Sequence, residues 1–216
     1  VVKRDVFHVT WDADAAEKDG YEHFMIKEIH EQPKGLEETL NKRIQDGVIN
    51  LDGITMTKED IEGFNKIYII ACGTAYHAGL VGKYAIEKMA KIPVEVDVAS
   101  EFGYRDPFVD DKTLFIAISQ SGETADTLAA LRLAKEKGVP VLGIVNVVGS
   151  TIARESDYVL YTYAGPEISV ATTKAYSAQL IAMYLLAVKC AAVRGDIEDK
   201  KYEHFLSELQ LIPEKI

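Results

Sequence analysis

The chain has 216 residues, 48% of them hydrophobic and 27% charged, enough for one sizeable packed domain with flanking elements. Its formal charge of −10 speaks against a broad basic face, and with it against general binding to nucleic acid or to an anionic membrane. The pattern predicts no membrane span, because no apolar run reads as the roughly 20 residues that one needs, and residues 1–20 show no signal-peptide layout.

Residues 1–20 alternate weakly at Val2, Val6, Phe7 and Val9 and then turn acidic, which predicts a strand and loop, the remnant of a linker. Residues 21–65 read as an N-terminal helical extension. Phe24, Met25 and Ile29, then Leu36, Leu40 and Ile44, recur at helical spacing, with Pro33 and Gly35 dividing two helices. Residues 46–65 are a turn-rich connection, and "TKED" offers a helix start at Thr57.

From Lys66 the pattern changes. "KIYIIACG" is a continuous apolar run ending in Gly, as expected of a strand buried on both faces. "PVEVDVAS", "TLFIAISQ", "VPVLGIVN" and "YVLYTYAG" follow as four more strands, with helical segments between most of them. "ATTKAYSAQLIAMYLLAVKCAAVRG" is a long helix, apolar nearly all round, which suits a buried or interface position. The alternation predicts an α/β domain over 66–195, a five-stranded doubly wound parallel sheet flanked by helices. Residues 196–216 read as an amphipathic helix stopping near Pro213 and leading onward.

In such a sheet, ligands lie beyond the carboxyl ends of the strands, near the switch in strand order. Three strand exits are rich in hydroxyls and glycine: Cys72-Gly73-Thr74, Ser119 to Thr124, and Ser169 to Thr173. At the second, unpaired first-turn N–H groups, the helix dipole, Gly122 and three hydroxyls suit a phosphate monoester held without a lysine. The same residues also suit a simple helix cap by Thr124 or Ser121, and composition does not separate the two. A P-loop and a nucleophile elbow are missing, "CGTAYHAG" is not a dinucleotide fingerprint, and the histidines show no metal-ligand spacing. We therefore expect no cofactor and no metal. Cys72 and Cys190 read as two buried thiols in a reducing cytoplasm. Glu123 is expected to turn away from an anion or to pair, Glu101 and Arg105 to pair with each other, and Lys174 to serve structure.

"ISQSGETADTLAAL", "ACGTAYHAG", "ASEFGYRDP", "NVVGSTIARESDYVL" and "AGPEISVATTKAYSAQL" together resemble the sugar isomerase (SIS) domain. They are most similar to the first of two such domains in the glutamine–fructose-6-phosphate aminotransferase (isomerizing) family. The resemblance implies a sugar phosphate as ligand, fructose 6-phosphate or glucosamine 6-phosphate, in amino-sugar biosynthesis. It implies phosphate contacts from Ser119, Gln120, Ser121 and Thr124, and a sugar contact from Thr74. Ala75 stands where some members carry serine, Val170 matches a backbone contact, and Thr172 keeps a hydroxyl where others have serine. It further implies a homodimer, a glutaminase domain and a second SIS domain in the full-length protein, and catalytic residues outside this chain. Two other readings share the phosphate loop. A non-catalytic sugar-phosphate sensor would carry a basic helix-turn-helix before residue 60, and a stand-alone isomerase would need a base such as His77.

Overall fold

The computed structural model describes residues 17–216 except 52, 53 and 55. The strand expected near the start lies outside the described residues. Two helices come first, α1 (Phe24–His30) and α2 (Gln32–Asn41), and the chain turns between them at Glu31. Pro33 does not break the helix. It sits in the first turn of α2, where its missing N–H has no intrahelical partner to lose. Gly35 is inside α2, packed against the Ala164 backbone.

The second helix stops at Asn41, so Ile44, read at helical spacing, lies instead in a hairpin of β1 (Ile44–Gln45) with β2 (Val48–Ile49) that runs into the stretch expected to be only turns. Asp46 and Gly47 join them with φ of 51° and 73°, the left-handed pair that a two-residue turn of this hand requires. Helix α3 (Lys58–Gly63) starts at the expected Thr57, where the Thr57 hydroxyl and the Asp60 carboxylate exchange bonds with each other's backbone N–H.

Five parallel strands follow: β3 (Lys66–Ala71), β4 (Val94–Val98), β5 (Thr113–Ser119), β6 (Val141–Val145) and β7 (Tyr158–Tyr161). Their order is β4-β3-β5-β6-β7, so the winding reverses between β3 and β5. The chain is thus α/β with a doubly wound parallel sheet. A period of two divides the strands between two cores. Ile67, Ile69, Leu114, Ile116, Leu142 and Ile144 face one side, and Tyr68, Ile70, Phe115, Ala117 and Val145 the other.

Helices α4 (Gly73–Met89) and α8 (Lys174–Arg194) cover the first side. Helices α5 (Ala99–Phe102), α6 (Ala125–Glu136) and α7 (Thr151–Glu155) cover the second. The N-terminal extension shares the first core: Leu36, Leu40, Ile44 and Ile49 pack in one cluster with Ile181, Leu185 and Val188 of α8. Each such side chain contributes roughly 1.5–3 kcal/mol on burial.

α8 is long and apolar enough to cross a membrane, contrary to the sequence reading, yet 61% of its most apolar window is buried inside this fold. Its apolar girth is used by α4 on one flank and α2 on another, as a central core helix requires. The last segment is not one helix. α9 (Asp199–Gln210) ends first, and Pro213 sits in the first turn of a short α10 (Ile212–Lys215).

Candidate functional site

Strand register brings the exits together. β3 pairs Ala71 with Ile118 of β5, so Cys72 and Ser119 leave the sheet side by side. β5 pairs Ser119 with Val145 of β6, and the Asn146 N–H then donates to the Gln120 carbonyl at 3.1 Å. At this edge a cavity of about 210 Å³ opens over the point where the winding reverses. Thr74, Ala75, Ser119, Gln120, Ser121, Thr124, Val170 and Thr172 all line it, joined by Cys72, Ile118, Glu167, Ser169 and Gln179.

The loop between β5 and α6 is ordered by its own hydroxyls. Ser119 Oγ accepts from the Gly122 N–H at 3.0 Å and shares a hydrogen bond with Thr124 Oγ1 at 2.9 Å. Ser121 Oγ accepts from the Glu123 N–H at 3.2 Å. Neither Ser121 nor Thr124 caps α6, although Thr124 stands at the N-cap position. The first-turn N–H groups of α6 are therefore without a side-chain cap among the described residues. α4 likewise begins without a side-chain cap, at Cys72. Two positive helix ends, each equivalent to roughly half a charge, favour an anion in a cavity with no Lys or Arg among the described residues of its lining.

Gly122 is the pivot of the loop, at φ +67°, a conformation that costs other L-residues about 1–2 kcal/mol. Its carbonyl accepts from the Ile152 N–H at 3.0 Å. Glu123 is turned from the cavity, and Oε1 accepts from the Thr151 N–H at the start of α7, 2.7 Å away. That bond, with a further hydrogen bond to the Thr151 side chain, holds its carboxyl below the usual carboxylate range.

The opposite wall is the irregular segment 165–173. Glu167 occupies its own carboxylate there. Oε2 accepts from Thr172 Oγ1 at 2.6 Å, and Oε1 from the N–H groups of Thr173 (2.9 Å) and Ala175 (3.2 Å), at the start of α8. The negative charge in the lining is thus engaged at a helix N-terminus. Asn146, buried at the end of β6, accepts from Thr162 Oγ1 and the Ala164 N–H and donates to the Gly165 carbonyl. Lys174 is buried and paired with Glu31 of the extension at 2.6 Å, so it does serve structure.

Other expectations fare differently. Arg105 pairs with Asp97 at 3.1 Å and not with Glu101, because Asp97 at the end of β4 is buried and needs a partner. His77 is exposed, stacked edge-on to Tyr76, and is not in the cavity lining. Cys190 is buried, which pushes its thiol up to about 12, but Cys72 is only half-buried, at the mouth of α4. Among the described residues no three His, Cys, Asp or Glu side chains converge as a metal site requires. Sequence reasoning singled out Ser169 only as part of a strand exit, and missed Gln179, Asn146 and Glu28. Gln179 was hidden in an apolar helix, where an isolated buried amide was the available signal.

Comparison with known proteins accords with this geometry. The SIS domain model matches residues 61–189. Glutamine–fructose-6-phosphate aminotransferase (isomerizing) of Clostridium tetani is 61% identical over 215 residues, covering 99% of this chain and 35% of that protein. The same enzyme of Caldanaerobacter subterraneus is 60% identical, over 100% of this chain and 36% of its own length. The chain thus spans about a third of the curated relatives that it matches. Among solved structures, the C-terminal domain of glucosamine-fructose-6-phosphate aminotransferase from Francisella tularensis superposes with a TM-score of 0.88. It is 45% identical, over 92% of this chain and 56% of that one. Glucosamine-6-phosphate deaminase from Thermotoga maritima has a TM-score of 0.66 at 22% identity, over 89% of this chain and 54% of that one, a likeness of fold.

Proposed function

The chain belongs to the SIS domain family, and from that premise we propose that it is the first sugar isomerase domain of a glutamine–fructose-6-phosphate aminotransferase. In this reading it grips the phosphate of fructose 6-phosphate or glucosamine 6-phosphate. The observation that carries the reading is the uncapped first turn of α6, with Ser121 and Thr124 beside it, opening into a cavity at the sheet's switch point. A dianionic ester meets directional N–H and O–H donors there, and the neutral lining leaves room for sugar hydroxyls.

The same cavity supports a gripping role over a complete isomerase. Among the described residues its lining holds no His, Lys or Arg, and its carboxylate, Glu167, already accepts three hydrogen bonds. Proton transfer between sugar carbons needs a base near its working pKa within reach, so we assign that step to residues beyond this chain. The two free thiols support a cytoplasmic setting. The exposed Tyr104 and Phe108 support burial against a second copy or a second SIS domain, as a homodimer of the longer protein would provide.

Titration calorimetry with fructose 6-phosphate and with fructose tests the assignment. Binding of the phosphate ester alone is expected. Equal binding of both sugars, or of neither, would overturn it.

A further inference from the structure

Glu28 lies on α1, 2% exposed, yet its carboxylate is spent 140 residues away. Oε1 accepts from the Ile168 N–H at 2.6 Å and from the Ser169 N–H at 3.1 Å. Ser169 lines the cavity, and so do Val170 and Thr172 just beyond it. The two ends of segment 165–173 are held otherwise, Gly165 by Asn146 and Thr172 by Glu167. The middle is pinned by Glu28.

The second carboxylate oxygen, Oε2, is buried with no hydrogen-bond partner among the described residues. A bare buried acceptor is an arrangement that stability alone disfavours. The two bonds at Oε1, charge-assisted and to consecutive amides, instead hold an irregular loop whose ordering costs conformational entropy.

We propose that Glu28 is a positioning residue for the sugar end of the cavity, an inference that rests on the sugar-phosphate reading above. It touches no ligand. It presents Ser169, Val170 and Thr172 to the sugar, while the phosphate is held by a different element, the β5–α6 loop. The two ends of the ligand should therefore respond differently to its loss.

The test compares the wild-type chain, Glu28→Ala and Glu28→Gln by calorimetry with fructose 6-phosphate and with inorganic phosphate, alongside amide exchange at Ile168 and Ser169. Glu28→Ala is expected to raise the fructose 6-phosphate Kd on the order of tenfold, as the loss of one charge-assisted anchor implies. It should leave the inorganic phosphate Kd within about twofold, and speed exchange at the two amides. Glu28→Gln keeps a carbonyl oxygen for the same two N–H bonds, so its affinity should stay near wild type. Unchanged fructose 6-phosphate affinity in Glu28→Ala would overturn the proposal alone. Equal loss of both ligands, with exchange rising across the sheet, would reduce Glu28 to a structural residue and overturn it too. A wild-type chain that bound neither ligand would overturn the functional reading and this inference with it.

Discussion

Gly122 and Ser150 approach so closely that a Cβ on Gly122 would stand 2.0 Å from Ser150 Oγ and 2.5 Å from Ser150 Cβ. The contact locks the β5–α6 loop against the start of α7. Gly122→Ala should cost about 2–4 kcal/mol in denaturant unfolding, part from the positive φ and part from the collision. Ser150→Gly in the same chain should recover the collision part, giving a coupling of about 1–3 kcal/mol. Strictly additive costs would show that the contact does not set the loop.

Ser121→Ala with Thr124→Ala should weaken fructose 6-phosphate binding by about 1–3 kcal/mol, since each removes a donor to a charged group. Because Thr124 does not cap α6, its truncation should cost less stability than the ~1 kcal/mol typical of a lost N-cap. Calorimetry beside thermal melts separates the two effects. A large loss of stability with unchanged affinity would return the loop to a capping role.

The Glu123 carboxyl is depressed by its hydrogen bonds at Thr151. A carboxyl lowered in the folded state binds its proton more readily when unfolded, so it stabilises the fold above the ordinary carboxylate range. That contribution is lost as pH falls through the lowered value. Urea unfolding from pH 7 to 3 should show wild type more stable than Glu123→Gln at neutral pH, with the gap closing in acid. A gap undiminished at pH 3 would contradict the assignment.

The two thiols should differ. Cys72 lines the cavity and is half-buried, whereas Cys190 is buried with its thiol pushed up to about 12. An alkylating reagent should label Cys72 in the native chain and Cys190 only after unfolding. Fructose 6-phosphate should slow labelling of Cys72, read by mass spectrometry. Indifference to the ligand would place the sugar elsewhere.

What the chain order reveals is local in character. "KIYIIACG" and "TLFIAISQ" read as buried strands because their middle positions form unbroken apolar runs, and β3 and β5 prove to be buried on both faces. Asp46-Gly47 carried the usual signal of a two-residue hairpin within a stretch read only as turns, since β1 and β2 are each only two residues long. Pro33 suggested a break and instead sits in a first turn, where the same ring is tolerated. The loop hydroxyls pointed to the site because Ser119 to Thr124 are contiguous. Glu28 and Gln179 gave no such sign, for their partners or neighbours at the cavity lie on elements far along the chain. A buried charge acting across 140 residues leaves no periodic trace in a sequence.

The central claim is that the first turn of α6 holds the phosphate. A titration of the amide resonances with glucosamine 6-phosphate reads those N–H groups one by one. The largest shifts are expected at Ala125, Asp126 and Thr127 in the first turn of α6 and at Ser121 beside it, with smaller ones at Thr74 and Ser169. Shifts confined to other faces of the molecule, with the β5–α6 amides unmoved at saturation, would contradict the account.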